Sequence, residues 1–170
     1  MTELHGERVV LRRVTPDDVA ELRRIRATPE VVRWWGELPG DFPEPDDPGD
    51  ARFTVLVDGR VAGLVQYAEE QDPEARHADV DVFLDPELHG RGLGTDAMGT
   101  IVRHLVAERG HHRVTLSTSP DNAPALRCYE KVGFRPVGIT RASLWHDVRG
   151  EWVDELLMDY VVPPGHPPEA

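Results

Sequence analysis

The stretch His89-Gly90-Arg91-Gly92-Leu93-Gly94-Thr95 constrains the fold more than any other part of the chain, because it joins two segments of different hydrophobic period. Before it, Val80, Val82 and Leu84 alternate with Asp79, Asp81 and Phe83, the two-residue period of a strand over 78–84. After it, Leu93, Ala97, Met98, Ile101, Val102, Leu105 and Val106 fall on one face of a helix that Gly110 is placed to cap. Glycine at alternate positions lets the main chain approach a ligand closely. A helix opening at Leu93 turns unpaired N–H groups and a positive dipole end toward that ligand, so the expected guest is a phosphate or pyrophosphate. A dinucleotide turn of the G-x-G-x-x-G type would need glycine where Thr95 stands. A Walker-type loop would need Gly-Lys followed by Ser or Thr, and neither pattern is met.

Elsewhere the elements alternate. Residues 7–12 read as a strand, Thr15-Pro16-Asp17-Asp18 as a helix start, and Val19, Leu22 and Ile25 as its apolar face. A short helix is expected over 29–35, and strands over 52–57 and 61–67 joined at Asp58-Gly59. A strand at 114–117, a helix ending at Gly133, and a hairpin of 137–145 with 151–161 complete the order β-α-α-β-β-β-α-β-α-β-β. That order predicts an α/β (α+β) protein: one domain over 1–162, with a mixed sheet and helices packed on it. The proline-rich tail 163–170 is expected to be disordered.

Composition narrows the partners. The formal charge of −12 argues against nucleic acid and for cationic or neutral ligands. One cysteine, Cys128, excludes an internal disulfide and a cysteine-rich zinc site, and no metal is expected. No apolar run has the length of a membrane span or signal peptide, so a cytoplasmic protein is expected. Glu37, Asp41, Glu44, Asp46, Asp47 and Asp50 form an acidic loop without a basic residue, read as a solvated loop ahead of a substrate rim.

A second motif follows the glycine turn: Asn122-Ala123-Pro124-Ala125-Leu126-Arg127-Cys128-Tyr129-Glu130-Lys131-Val132-Gly133-Phe134. Its pattern N-x-x-A-x-x-x-Y-x-x-x-G-F, together with the x-x-x-G-x-G of His89 to Gly94, resembles the two acyl-CoA motifs of the GCN5-related N-acetyltransferases. His89 stands where that family usually has Gln or Arg. The resemblance implies a mostly antiparallel sheet flanked by helices and acetyl-CoA as acyl donor. Val82, Phe83 and Leu84 would present backbone groups to the pantetheine arm, and the segment His89, Gly90, Arg91, Gly92, Leu93, Gly94, Thr95 would hold the pyrophosphate. Asn122 and Ala125 would contact the arm, and Tyr129 would protonate the departing thiolate, with no covalent enzyme intermediate. Phenol and thiol are close enough in basicity for that exchange.

On the acceptor side, adjacent Trp34 and Trp35 cannot both enter one core pocket, so at least one is expected to line a cleft. Trp34-Trp35-Gly36 together with Gln66 resembles aminoglycoside 6′-N-acetyltransferases, although Ser117 stands where those often have Asp. Asp81, and after it Asp79, are the candidates to bind the amine and take its proton. The implied acceptor is a small cationic amine, in the narrowest reading the 6′-amine of an aminoglycoside, a resistance activity. Beside it stand an acetyltransferase for a protein N-terminus, polyamine or siderophore precursor, and an acyl-CoA sensor without turnover. By analogy with the superfamily the chain is a monomer or a homodimer formed through 137–161.

Overall fold

The computed structural model describes residues 2–163; the expectation of a disordered tail falls, from residue 164 onward, outside the described residues. Eight strands and four helices alternate: β1 Leu4–His5, β2 Val9–Arg13, α1 Val19–Arg26, α2 Pro29–Trp35, β3 Asp50–Val57, β4 Arg60–Glu69, β5 Ala78–Leu84, α3 Leu93–Ala107, β6 Arg113–Thr118, α4 Ala123–Val132, β7 Arg135–His146 and β8 Glu151–Val161. They form one sheet in the order β1-β2-β3-β4-β5-β6-β8-β7, antiparallel except between β5 and β6. The larger core packs α3 on the sheet through Leu93, Ala97, Met98, Ile101 and Leu105, and a smaller one packs Leu22 and Ile25 of α1 against Leu64 and Phe83.

Local chemistry sets the joints. Asp58 and Gly59 both take left-handed backbone angles (φ 50° and 75°), the turn that matches strand twist in a two-residue hairpin. The helix expected from Pro16 opens instead as a 3₁₀ turn, Pro16–Asp18, because buried Asp18 turns back to pair both Arg12 nitrogens at 2.9 and 3.0 Å. Thr54 also donates to Asp18 at 2.8 Å, tying β2, β3 and the start of α1 together. Gly110 does not cap α3. The helix ends at Ala107, and Gly110 (φ 74°) forms the turn into β6.

The parallel pair β5–β6 is brief: Ala78 faces Val114 and Asp79 faces Thr115, and there the register stops. Beyond it β5 stays paired with β4 to Leu84, and β6 stays paired with β8, so the sheet splits while both outer halves remain intact. Gly63 makes the β4 side possible. A Cβ placed there would lie 2.1 Å from the Phe83 carbonyl oxygen and 2.9 Å from Leu84 Cα. Gly63→Ala must push β5 away from β4, and overpacking of this kind costs about 1–3 kcal/mol. Urea unfolding should show that loss.

Candidate active site

The glycine turn has the form its sequence predicts. Gly90 and Gly92 sit at φ 77° and 75°, and Gly92 is the N-cap of α3 without any side-chain cap. Asp96 N–H is the first to find an acceptor in the helix, Gly92 O at 3.1 Å. Among the described residues none of the six amides from Gly90 to Thr95 donates to protein. A run of orphan donors at a helix N-terminus fits a pyrophosphate. Asp96 holds this end of α3 in place, since its carboxylate accepts the backbone N–H groups of Glu7, Arg8 and Val9 at 2.8–3.0 Å. His89 does not face the amides: its Nε2 donates to Leu84 O at 3.2 Å, so the imidazole ties the turn to the end of β5. The Arg91 carbonyl accepts from Arg8, and the Arg91 side chain stays outside the cleft.

Strand alternation decides which backbone groups of β5 are available. Asp85 N–H and His77 C=O bond to β4, so odd-numbered residues between them face β4 and Val82 and Leu84 face the split. Phe83, expected to serve the pantetheine arm, is turned the other way, its peptide toward β4 and its ring 5.1 Å from that of Trp35. Val82 N–H is taken by the Asp81 carboxylate at 3.0 Å, and Leu84 C=O by His89. The Val82 carbonyl and Leu84 amide remain for an extended guest. Across the split, Asn122 caps α4 by accepting from Ala125 N–H at 3.4 Å.

The split opens into a cleft of about 1400 Å³ that runs from the glycine turn to the ends of α2 and the β7–β8 hairpin. Tyr129 and Asp81 both line it. Tyr129 is 6 % exposed, its ring rests edge-on against Phe134, and among the described residues its hydroxyl has no hydrogen-bond partner. Burial, reinforced by the charge of Asp81, pushes this phenol above its ordinary pKa, so it keeps its proton. Asp81 is pushed up to about 8 by desolvation, with Asp79 and Glu155 acting in the same direction and Val82 N–H and Arg26 opposing them. Cys128 lines the cleft as a thiol pushed up by burial, 3.4 Å from the Thr95 hydroxyl, the opposite of an activated nucleophile.

Other expected residues are placed apart. Asp79 shares the face of Asp81 but lies outside the main cleft, its carboxylate accepting from Thr115 Oγ1 at 2.8 Å and raised by desolvation. Gln66 sits opposite Asp81 in β4; with Asp79, Asp50 and Arg52 it borders a second hollow of about 120 Å³, which Asp81 lines as well. No residue of the acidic loop lines the cleft; Asp46 is engaged by Arg13 and Arg52. Trp34 and Trp35 do line it, Trp35 also packing into the smaller core. The cleft further holds residues that the motifs do not mark: Arg127 and Lys131 on α4, and Leu144, His146, Trp152 and Glu155 on the hairpin. Only the one-face spacing of Arg127 and Lys131, together with Cys128, could have pointed to the first two.

Buried Arg26 builds the tryptophan wall. Its guanidinium donates to the carbonyls of Trp35, Gly36 and Glu37 at 2.7–3.1 Å and lies 5.4 Å from the Trp35 ring, capping the C-terminus of α2. His146 joins the same end to β7, with Nε2 donating to Arg33 O at 2.9 Å and Nδ1 accepting from Arg149 N–H at 3.3 Å.

A split sheet, an uncapped glycine turn and a buried phenol all border one cleft. The model of the acetyltransferase (GNAT) family matches residues 17–134, and this chain belongs to that family, which uses acetyl-CoA. An L-amino acid N-acetyltransferase of Escherichia coli is 27 % identical over 157 residues, covering 88 % of this chain and 96 % of its own. The aminoglycoside N(6′)-acetyltransferase type 1 of Klebsiella pneumoniae is 27 % identical over 155 residues, 78 % of this chain and 77 % of the relative. Among solved structures, the spermidine N-acetyltransferase of Vibrio cholerae in complex with CoA and spermine superposes with a TM-score of 0.78 at 19 % identity, over 92 % of this chain and 96 % of the other. No helix of the described residues is long and apolar enough to cross a membrane, and they contain no cluster of metal-ligating side chains.

Replacing Arg26 with Met leaves three carbonyls at the end of α2 without their donor. Unsatisfied buried acceptors cost about 1–3 kcal/mol each at most, and loss of the buried charge offsets part of that, so the net loss should be about 2 kcal/mol in urea unfolding at neutral pH.

Proposed function

We propose that this protein transfers the acetyl group of acetyl-CoA directly to a primary amine of a small cationic molecule, with Asp81 as base and Tyr129 as acid. The observation that carries this reading is that both side chains line one cleft, a carboxyl raised by burial and a buried phenol without a hydrogen-bond partner among the described residues. Acetyl-CoA is the first substrate. The amides from Gly90 to Thr95 would take its pyrophosphate, Val82 C=O, Leu84 N–H and Asn122 its arm, and the thioester would lie by Tyr129.

The acceptor arrives as an ammonium ion and gives one proton to the Asp81 carboxylate. Its nitrogen lone pair then forms a bond to the thioester carbonyl carbon as the carbon–sulfur bond breaks. The thiolate takes the Tyr129 proton, and the nitrogen returns a proton to the Tyr129 oxygen as the amide forms. Asp81 releases its proton to solvent, so one ammonium and one thioester give one amide, one thiol and one proton. A carboxyl raised toward the range of amines is a stronger base than an ordinary aspartate, and a raised phenol holds its proton until sulfur needs it. Alignment along the split supplies the rest of the rate. An aminoglycoside 6′-amine is the member of the acceptor class that Trp34-Trp35-Gly36 and the Klebsiella relative favour. An acceptor of polyamine type is equally served by the same two groups.

Kinetics with kanamycin and spermidine test this. Only ionised Asp81 accepts a proton, so kcat/KM for the amine should rise with pH through about 8. Asp81→Asn should abolish that limb, leave the amine's own titration, and lower kcat by about 10²-fold or more. Tyr129→Phe should lower kcat by about 10²-fold with the Kd for CoA within about twofold, because the phenol moves protons in the chemical step and does not hold the carrier. Unchanged kcat in either variant removes the role assigned to that residue.

A further inference from the structure

The β7–β8 hairpin brings three carboxylates to the cleft, of which Glu151 is paired by Arg149 and Asp154 accepts from Ala142 N–H, which leaves Glu155. Glu155 stands on β8 opposite Thr140, half-buried, with Ser143 Oγ donating to its Oε1 at 2.9 Å. Its negative charge reaches Asp81 and acts on it in the same direction as Asp79. The arginines nearby are committed elsewhere: Arg26 to the carbonyls of α2, Arg149 to Glu151, and Arg33 to the face of Trp34 at 4.6 Å. Among the described residues no salt bridge joins a cation to Glu155. The same space receives the unpartnered hydroxyl of Tyr129, and apolar surface from Trp34, Leu144 and Trp152 lies around it. Ionised together, these two carboxylates would repel unless a cation stands near each, and the charge of Glu155 is one cause of the raised proton affinity of Asp81. An acceptor with a second ammonium supplies both, one at Asp81 to be acetylated and one at Glu155 to be held.

Resting on the reading of Asp81 as the base, we propose that Glu155 binds a second ammonium group of the acceptor and selects diamines and polyamines over monoamines and α-amino acids. The carboxylate of an α-amino acid would meet the like charge of Glu155, which disfavours it.

Calorimetric titration of the CoA-loaded protein tests the assignment independently of turnover, with 1,6-diaminohexane, hexylamine and leucine as probes. Wild-type protein should bind the diamine about tenfold more tightly than the monoamine at low ionic strength, with the preference shrinking as salt is raised. Glu155→Gln, whose amide oxygen can still accept from Ser143, should erase that preference and leave hexylamine binding unchanged. Glu155→Asp, with the charge on a shorter arm, should keep part of it. Equal affinities for diamine and monoamine in the wild type, tighter binding of leucine, or a Glu155→Gln variant that weakens both amines alike would each overturn the proposal. Wild-type turnover by Asp81→Asn would instead remove the base while leaving this binding comparison intact, so the two failures are distinct.

Discussion

The short parallel contact between β5 and β6 is the constraint on which the rest of the molecule depends. Pairing holds only at Ala78–Val114 and Asp79–Thr115; had it continued, the peptide groups of Val82 and Leu84 would be spent on β6. A sheet that opens leaves buried polar groups unpaired, which is costly unless a ligand or side chain satisfies them. Two of the four groups exposed in this way are met internally, Val82 N–H by Asp81 and Leu84 C=O by His89. The other two, with the six amides of the glycine turn, have no partner among the described residues. The opening stays open because each half is anchored on its far side, β5 by full pairing with β4 across Gly63 and β6 by β8.

Charges inside the protein divide by what surrounds them. Asp18 is held well below the usual carboxylate range, at about 2, by bidentate Arg12, Thr15 and Thr54, which outweigh its desolvation. Glu69 is lowered to about 2 by Arg109 and His111 in the same manner. These carboxylates fasten elements to one another. Asp81 has one backbone N–H and no contacting cation, so desolvation wins and its proton affinity rises. The contrast separates a fastening carboxylate from one available for proton transfer, and it arises from partners on other strands and helices rather than from the residue itself.

Much of this was legible in the chain. Helix α2 and strand β5 have the bounds that spacing predicted, because proline at N1, a tryptophan pair closed by glycine, and clean alternation leave little freedom. The turn at Asp58-Gly59 and the turn at Gly90 and Gly92 also follow from residues whose backbone angles few others adopt. Strand β1 escaped notice because two residues carry no period, and β7 begins two residues early, at Arg135, since an edge strand tolerates Pro136. At the site, Tyr129 and Asp81 were marked by motif and alternation. His89, Asp79 and Gln66 were marked as well: His89 lines the cleft while tied to Leu84 O, and Asp79 and Gln66 border the smaller hollow that Asp81 also lines.

By itself the sequence determined most of the elements and their order, the family, and the left-handed glycine turn that opens α3, because each rests on local backbone geometry or on spacing along the chain. Only the tertiary structure decided which carboxylate lines the same cleft as Tyr129, which peptide groups of β5 are free, and that a glutamate from the last hairpin lines that cleft too. Those outcomes depend on where two strands part and which distant side chains arrive there. Burial and partnership across elements are properties of the packed chain, and no local pattern encodes them.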